Sequence, residues 1–157
     1  MTTLVVPDYR VLGKHLQKER AGRTLALANG CFDILHVGHV RLLREAAAAA
    51  DLLVVALNTD ESVRTNKGPG RPWVTLEERM EVIAALKGVH SVTSFPESTA
   101  EGLLDALRPD VHVKGTDWTE DTVPERDTVI AYGGRILIAG DPKAHSSSEL
   151  IEKQREE

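Results

Sequence analysis

Cysteine is nearly absent from this sequence of 157 residues, and long apolar runs and an excess of positive charge are missing. Cys31 stands alone, which excludes an intrachain disulfide and a zinc site built from several cysteines. No apolar run approaches the length of a membrane span, and the first residues lack a signal-peptide pattern. The formal net charge of −5 argues against holding nucleic acid through bulk positive charge. We therefore expect a cytoplasmic protein that binds neither membranes nor nucleic acid.

The composition is otherwise ordinary for a globular domain. Hydrophobic residues make up 41% of the chain and charged residues 27%, as is usual for this class. A domain takes roughly 100–200 residues, so we expect one domain over 1–157. Residues from about 7 to 21 form an amphipathic segment. We interpret it as an N-terminal helical extension that packs against the domain or contacts a second copy of the chain.

Short apolar segments alternate along the chain with segments of helical period. The pattern predicts five strands, at residues 24–28, 52–57, 91–95, 111–113 and 135–139. It predicts helices at residues 40–49, 76–86, about 103–107 and 146–153. Such alternation favours an α/β fold: a Rossmann-like, doubly wound, parallel five-stranded sheet with helices on both faces, plus the N-terminal helix.

Polar residues follow four of the predicted strands. In sheets of this kind, ligands bind beyond the carboxyl ends of the strands. We therefore expect these polar segments to meet at one binding site. They are residues 29–33, 58–60, 114–117 and 140–148.

The strongest signal is the segment Gly-Cys-Phe-Asp-Ile-Leu-His-Val-Gly-His at residues 30–39. A strand ends in a glycine turn, and His36 and His39 then follow three residues apart on one face of a starting helix. Gly38 removes a side chain where a phosphate could press against the backbone, and a helix N-terminus favours an anion. The segment predicts a phosphate site with two imidazole donors. The alternative is a structural or metal-binding pair of histidines, for which no third ligand stands at suitable spacing.

This segment resembles the signature of the nucleotidylyltransferase superfamily, which transfers a nucleotide onto a phosphorylated acceptor. The resemblance runs from about residue 22 to residue 153. Within the superfamily the chain is similar to the D-glycero-β-D-manno-heptose 1-phosphate adenylyltransferases, which form ADP-heptose and pyrophosphate from ATP and the sugar phosphate. Further motifs follow in family order, namely Asn58-Thr59-Asp60, Arg71-Pro72, Leu76-Glu77-Glu78-Arg79-Met80, Val113-Lys114-Gly115 and Ser146-Ser147-Ser148.

The resemblance implies a role for particular residues. ATP is the implied co-substrate, together with Mg²⁺, and no side chain is assigned as a metal ligand. The implied catalytic residues are His36, His39, Lys67 and Arg79. The implied nucleotide-binding residues are Gly30, Cys31, Phe32, Gly38, Lys114, Gly115, Asp117, Ser146, Ser147 and Ser148. The implied acceptor-binding residues are Asp33, Asn58, Asp60 and Arg71.

Several of these roles have a plainer alternative. Lys67 lies in a glycine-rich stretch, 66–70, that we interpret as a flexible loop closing over triphosphate oxygens, although a lone loop lysine is often just exposed. Arg79 reaches into the phosphate site by resemblance, whereas its neighbouring glutamates alone favour a surface salt bridge. Asp33 suits three partners: a histidine, a magnesium ion or an acceptor hydroxyl. Trp118 either packs its loop or lies at the nucleotide.

The last helix and the single cysteine raise similar questions. The serines at 146–148 either cap the helix or bind triphosphate oxygens, and the two roles are compatible. Nothing places Cys31 beside a general base, so we reject it as a nucleophile.

Rival functions fall in the same superfamily and outside it. Glycerol-3-phosphate cytidylyltransferases share the first motif but carry an Arg-Thr-x-Gly stretch where this chain has Asp-Pro-Lys-Ala at 141–144. Lys114 also matches the heptose enzymes, so both features favour ATP over CTP. The sequence is also compatible with an FAD synthetase-like enzyme and, less well, with a non-catalytic nucleotide-binding module or a flavodoxin-like carrier. Residues 119–126 match the heptose family poorly, which leaves acceptor specificity open.

The length of 157 residues also bears on the pathway. If the resemblance holds, no heptose kinase domain is present, so a separate kinase is expected to make the sugar phosphate. The same resemblance implies a homodimer or a higher homo-oligomer.

Overall fold

Strands and helices alternate through the computed structural model, which describes residues 2–142 and 147–156 without the side chains of 147–149. None of the described helices is long and apolar enough to cross a membrane. The strands are β1 Leu4–Asp8, β2 Leu25–Gly30, β3 Leu52–Asn58, β4 Ser91–Phe95, β5 Val111–Lys114 and β6 Arg135–Ile138. The helices are α1 Tyr9–Glu19, α2 Val37–Ala48, α3 Asp60–Lys67, α4 Leu76–Ala84, α5 Glu101–Leu107, α6 Arg126–Ala131 and α7 Ser147–Glu156.

All six strands form one parallel sheet in the order β1-β4-β3-β2-β5-β6. The α/β class and the doubly wound parallel arrangement predicted from the sequence are confirmed. All seven residues of β3 are buried, as expected for a central strand covered on both faces. The strand count of five was wrong, because β1 adds a sixth strand at one edge.

The sequence does not reveal β1 because the strand lies at the edge of the sheet. It contains Pro7, it is only partly buried, and it pairs with β4 alone. The predicted extension over 7–21 is therefore helical only from Tyr9, where the Asp8 carboxylate accepts a hydrogen bond from the N–H of Arg10. Leu12 and Leu16 of α1 are buried against the sheet, which supports the packing interpretation of this segment.

Two apolar layers fill the two faces of the sheet. On one face α1, α5 and α6 cover alternate residues of the strands, including Leu25 and Leu27 of β2. On the other face α2 and α4 cover the intervening residues, including Ala26 and Ala28. Since successive strand residues point to opposite faces, the two layers together bury the first four residues of β2, and Asn29 and Gly30 at its carboxyl end are half-buried.

The parallel sheet brings the carboxyl ends of its strands to one edge, where the candidate site lies. The sequence did not predict helices α3 and α6. Helix α3 begins at Asp60, just beyond the carboxyl end of β3. Helix α3 changes the environment of a predicted site residue, since Lys67 is its last residue rather than part of a loop, and Gly68 ends it at a φ of 98°.

Candidate active site

A cleft with a volume of about 470 Å³ opens beyond the carboxyl ends of β2, β3, β5 and β6. It is the place where the polar segments were expected to meet. Predicted site residues that line it are Gly30, Cys31, Phe32, Asp33, His36, Gly38, His39, Asn58, Lys67, Arg71, Gly115 and Asp117. Thr116, Gly140, Asp141 and Pro142 also line it and belong to the polar segments expected there, and Trp118 lines it in agreement with one of its two predicted alternatives. The remaining lining residues, Leu42 and Ala139, were not expected at the site.

His36 and His39 lie at the centre of the cleft and cap the N-terminus of α2. The Nδ1 atom of His36 accepts a hydrogen bond from the N–H of Gly38 at 3.1 Å. The Nδ1 atom of His39 accepts one from the N–H of His36 at 3.2 Å. This is a capping box in which imidazoles replace the usual hydroxyl and carboxylate. Because each Nδ1 accepts, each neutral ring carries its proton on Nε2 and can donate from that atom.

His39 is held in the neutral form. Burial, followed by the nearby charges of His36 and Lys67, lowers the pKa of His39 to about 4. The two imidazole rings are 3.9 Å apart between centroids, so two positive charges there would repel each other. At neutral pH His39 is therefore a hydrogen-bond donor and not a proton source.

Two glycines make room for aromatic rings in this segment. A Cβ atom on Gly38 would lie 2.9 Å from Cε1 of His36, so a side chain there would displace the imidazole. A Cβ atom on Gly30 would lie 3.3 Å from the ring of Phe32, which itself lies 5.3 Å from the ring of His39. Phe32 has a φ of 49°, an uncommon backbone conformation for a residue with a side chain. The sequence predicted that Gly38 leaves room for phosphate; the structure adds that it leaves room for His36.

The β3 half of the cleft carries two cationic residues. Lys67 lines it from the end of α3. Arg71 donates from Nε to a carboxylate oxygen of Asp33 at 2.8 Å, and its side chain is only 10% exposed. The Nη2 atom of Arg71 is buried and has no hydrogen-bond partner among the described residues. A buried guanidinium N–H without a partner is a candidate donor for an anionic ligand.

Asp33 holds the segment that carries Arg71. Its carboxylate accepts from Arg71, from the backbone N–H of Trp73 and from that of Val74, all at 2.8 to 3.0 Å. Burial alone would raise the pKa of Asp33, but the hydrogen bonds from Val74, Trp73 and Arg71 outweigh it and hold the pKa below its usual value. These three donors occupy both oxygens of Asp33, since the N–H of Trp73 bonds to both, and the acceptor-binding role of Asp33 stays a prediction.

Arg79 lies outside the lining of the cleft among the described residues, contrary to its predicted place in the phosphate site. Its side chain is fully buried, and its guanidinium donates to the backbone carbonyls of Val74, Cys31 and Asn58 at 2.8 to 3.0 Å. Its Nη2 donates to Asp60 at 2.7 Å. The carbonyls at the strand ends need donors, and α4 brings this guanidinium beneath them. Arg79 therefore braces the loops of the cleft.

Asp60 and Lys114 are also held by charged partners. The Asp60 carboxylate accepts from Arg79 and from the N–H of Leu76, so it joins α3 to α4. The Lys114 ammonium lies 3.6 Å from a carboxylate oxygen of Glu125 and does not belong to the cleft lining among the described residues. Both lie outside the cleft lining formed by the described residues, so their predicted binding roles stay predictions.

The half of the cleft formed after β5 and β6 presents acidic and aromatic groups. Asp117 and Trp118 line it from the turn after β5, and Asp141 lines it from the loop after β6. Asp141 forms an ion pair with Arg41 of α2, and its carbonyl accepts from the hydroxyl of Thr116 at 2.8 Å. The sequence signal for Asp141 was its place directly after a predicted strand and a glycine.

Cys31 and Asn58 lie where the two halves meet. The thiol of Cys31 lies 3.6 Å from the side-chain carbonyl oxygen of Asn58. Burial raises the pKa of the Cys31 thiol, which keeps it protonated and agrees with its rejection as a nucleophile.

The serine motif is only partly described. Ser146 lies outside the described residues, and Ser147 and Ser148 form the first turn of α7. Among the described residues no group of three or more His, Cys, Asp and Glu side chains could hold a metal ion.

Comparison with known proteins gives several relatives. The chain is 49% identical over 152 residues to the bifunctional protein HldE of Pseudomonas syringae pv. syringae, covering 97% of this chain and 30% of that protein. It is 45% identical over 136 residues to the bifunctional protein HldE of Syntrophotalea carbinolica, covering 87% of this chain and 28% of that protein. The chain thus spans less than a third of the length of these relatives.

Solved structures with a similar fold are also found. The lipopolysaccharide core biosynthesis protein from Thermoplasma volcanium is 27% identical with a TM-score of 0.67, covering 78% of this chain and all of that one. Pantoate-beta-alanine ligase from Francisella tularensis is 12% identical with a TM-score of 0.59, covering 93% of this chain and 69% of that one, a likeness of fold alone. The model of the cytidylyltransferase-like family matches residues 27–153, which include both histidines and every loop of the cleft. The superfamily predicted from the sequence is thereby confirmed, and the chain belongs to the cytidylyltransferase-like family.

Proposed function

We propose that this chain transfers the adenylyl group of ATP to D-glycero-β-D-manno-heptose 1-phosphate, giving ADP-heptose and pyrophosphate. The observation that carries the proposal is the imidazole capping box at the centre of the cleft. It makes Nε2 of both His36 and His39 the donor atom, at a helix N-terminus that itself favours an anion. The similarity to the bifunctional HldE proteins and to a lipopolysaccharide core biosynthesis protein supports a sugar phosphate as the acceptor.

The reaction is a direct in-line displacement. An oxygen of the sugar phosphate attacks the α-phosphorus of ATP, and the bond from the α-phosphorus to the oxygen that bridges it to the β-phosphorus breaks. The electron pair of that bond leaves with pyrophosphate. The attacking phosphate is already ionised, so the chemistry needs no strong base. His36 and His39 stabilise the charge that builds on the α-phosphate oxygens by donating hydrogen bonds from Nε2.

The two halves of the cleft orient the substrates. Lys67 holds departing phosphate oxygens from the β3 half. Arg71 holds the acceptor phosphate through its buried and unpartnered Nη2, on a segment fixed by Asp33. Asp117, in the opposite half, suits the hydroxyl groups of the ribose, since a carboxylate accepts hydrogen bonds and repels phosphate.

The resemblance implies a further anion-binding site at the serine motif, and Mg²⁺ as the ion bound with ATP. Ser146, Ser147 and Ser148, with the N-terminus of α7, are proposed to hold pyrophosphate oxygens. Because no cluster of described side chains suits a metal, Mg²⁺ is proposed only as the ion that accompanies ATP, and no step is assigned to it.

A pyrophosphate-release assay tests the proposal. It crosses ATP, CTP, GTP and UTP with heptose 1-phosphate, glycerol 3-phosphate and FMN. The expected result is release with ATP and heptose 1-phosphate. Release only with CTP and glycerol 3-phosphate, or ATP binding without release for any acceptor, would overturn it. A separate heptose kinase, self-association and a cytoplasmic location stay predictions.

A further inference from the structure

The turn after β5 places an indole on the wall of the cleft. Trp118 lines the cleft with 37% of its surface exposed, so its ring is accessible from the cleft. Its backbone N–H donates to the carbonyl of Gly115 at 3.2 Å, which closes the turn. The hydroxyl of Thr116 ties the same turn to the loop after β6. The backbone of the turn is therefore fixed on both sides.

A buried ion pair lies directly behind this indole. The ammonium of Lys114 is 5.5 Å from the centroid of the Trp118 ring and 3.6 Å from a carboxylate oxygen of Glu125. The side chains are only 13% and 8% exposed, respectively. Cations at this distance from an indole attract it, and the attraction grows as water is excluded.

Glu125 has a single charged partner among the described residues. Its Oε2 atom is buried without a hydrogen bond, and Lys114 is the cation beside it. A buried carboxylate with one cationic neighbour keeps that cation in place, because separating them would leave an unpaired charge away from water. Lys114 is thus held between a carboxylate and an indole, outside the cleft lining formed by the described residues.

We propose that the Lys114–Glu125 ion pair positions the indole of Trp118 as an aromatic wall that takes the heterocyclic base of the nucleotide. The inference deepens the proposed function and rests on it. A base suits this half of the cleft because it is uncharged, whereas the carboxylate of Asp117 repels phosphate groups and the charge of Asp141 is balanced by Arg41. Aromatic side chains bind bases by stacking. Lys114 and Glu125 are positioning residues that act through Trp118.

The test measures ligand binding by the fluorescence of Trp118. The chain has two tryptophans, so Trp73→Phe leaves Trp118 as the only indole and keeps the backbone N–H that Asp33 binds. The probes are ATP, which carries a base, and inorganic tripolyphosphate, which carries none. We expect ATP to quench the emission of Trp118 and tripolyphosphate to leave it unchanged.

Variants then separate positioning from charge. Trp118→Ala is expected to weaken ATP binding on the order of 5- to 100-fold, the range for loss of one base–aromatic stack. Lys114→Met is expected to weaken it by a part of that factor and Lys114→Arg to restore it, all without change in tripolyphosphate binding. The double variant Lys114→Met with Glu125→Gln leaves no unpaired charge, so it provides a folded protein that lacks the positioning cation.

Each outcome bears on the inference. Unchanged ATP affinity in the double variant would overturn it. Equal weakening of ATP and tripolyphosphate would also overturn it, since Lys114 would then act on phosphates directly. Failure of the proposed function is distinguishable, because it would show as quenching by ATP with no pyrophosphate released for any acceptor.

Discussion

The two halves of the cleft hold their charged groups differently. Beside the β3 half two arginines are buried while Lys67 is exposed: Arg71 is fixed by Asp33, and Arg79 braces the loops from outside the cleft with four hydrogen bonds to three carbonyls and Asp60. The half after β5 and β6 lines the cleft with Asp141, whose ion pair with Arg41 is exposed, with side chains 49% and 40% exposed. Its buried pair, Lys114 with Glu125, lies outside the lining formed by the described residues.

This difference shows where the protein needs rigidity. Buried, hydrogen-bonded charges keep one geometry, whereas exposed ion pairs contribute about 0–1 kcal/mol and rearrange readily. The oxygen of the acceptor phosphate must be held in one orientation to attack the α-phosphorus in line, so the half with the buried arginines suits the acceptor phosphate. The half after β5 and β6 suits the larger, mostly uncharged nucleoside. His36 and His39 lie between the two halves.

The largest expected effect is a loss of stability when the arginine that supports the β3 half of the cleft is removed. Arg79→Met removes the donor for the carbonyls of Cys31, Asn58 and Val74 and leaves Asp60 without its cation. We expect the free energy of unfolding to fall by about 3–5 kcal/mol, because three backbone carbonyls lose a buried charged donor. Urea denaturation measures it. Arg126→Met, a surface arginine, is the control, and an equally small loss in both variants would contradict the bracing role.

The next largest effect is a loss of activity when one of the two histidines between the halves is removed. His39→Ala is expected to lower kcat about 10²- to 10³-fold, because one transition-state donor is lost. The protein should stay folded, which its thermal midpoint checks, since only one bond of the α2 cap is removed. His15→Ala, at an exposed histidine of α1, should leave kcat unchanged. Near-normal turnover of His39→Ala would refute the assignment of the site.

A matched pair of variants compares the two halves directly. Arg71→Met is expected to raise KM for the sugar phosphate roughly 10- to 100-fold, the worth of a hydrogen bond to a charged group, with little change in KM for ATP. Arg41→Met removes the exposed pair and is expected to change either KM by no more than about fivefold. Steady-state kinetics with each substrate varied in turn measures both. Similar effects of the two variants on the same KM would remove the distinction between the halves.

A smaller effect concerns the pH dependence of stability and is expected from His112, which lies in strand β5. Burial, followed by the charge of Lys114, lowers the pKa of His112 to about 3, while its Nε2 lies 2.8 Å from the side-chain oxygen of Asn29. The unfolded chain therefore gains a proton at His112 as the pH falls below about 6.5, and the folded chain does not. This contribution to stability is present above that pH and is lost progressively towards pH 3.

The expected loss is about 2 kcal/mol between pH 7 and pH 5 for this histidine. Urea denaturation at the two pH values measures it in the parent chain and in His112→Gln, which should lack this share of the loss. His15→Ala should keep the full loss. An unchanged pH dependence in His112→Gln would mean that His112 is protonated in the folded protein.

The sequence predicts the centre of the fold better than its edges. Strands β2 and β3 are buried on both faces, so they appear as continuous apolar runs. Strand β1 lies at the edge with Pro7 in it, and α3 is a short, polar helix, so neither has a clear apolar pattern. The hydrophobic pattern of the sequence therefore predicts the buried elements and misses the exposed or polar ones.

The same limit applies to the site. The histidines and the order of the loops could be read from residues 30–39 and from the strand ends. The directions of Asp33, Arg79 and Lys114 could not, because each is set by a partner distant in the chain: Val74, Asn58 and Glu125 respectively. A motif gives the residue type at a position, and packing decides whether that residue faces the ligand or the loop behind it.

The most direct test of the central claim is the identity of the products formed from ATP and heptose 1-phosphate labelled with ¹⁸O at its three non-bridging phosphate oxygens. In-line attack by the sugar phosphate on the α-phosphorus predicts ADP-heptose that carries all three labelled oxygens and pyrophosphate that carries none. Mass spectrometry of the two products measures the label. Label in the pyrophosphate, or release of orthophosphate in place of pyrophosphate, would contradict adenylyl transfer at this cleft.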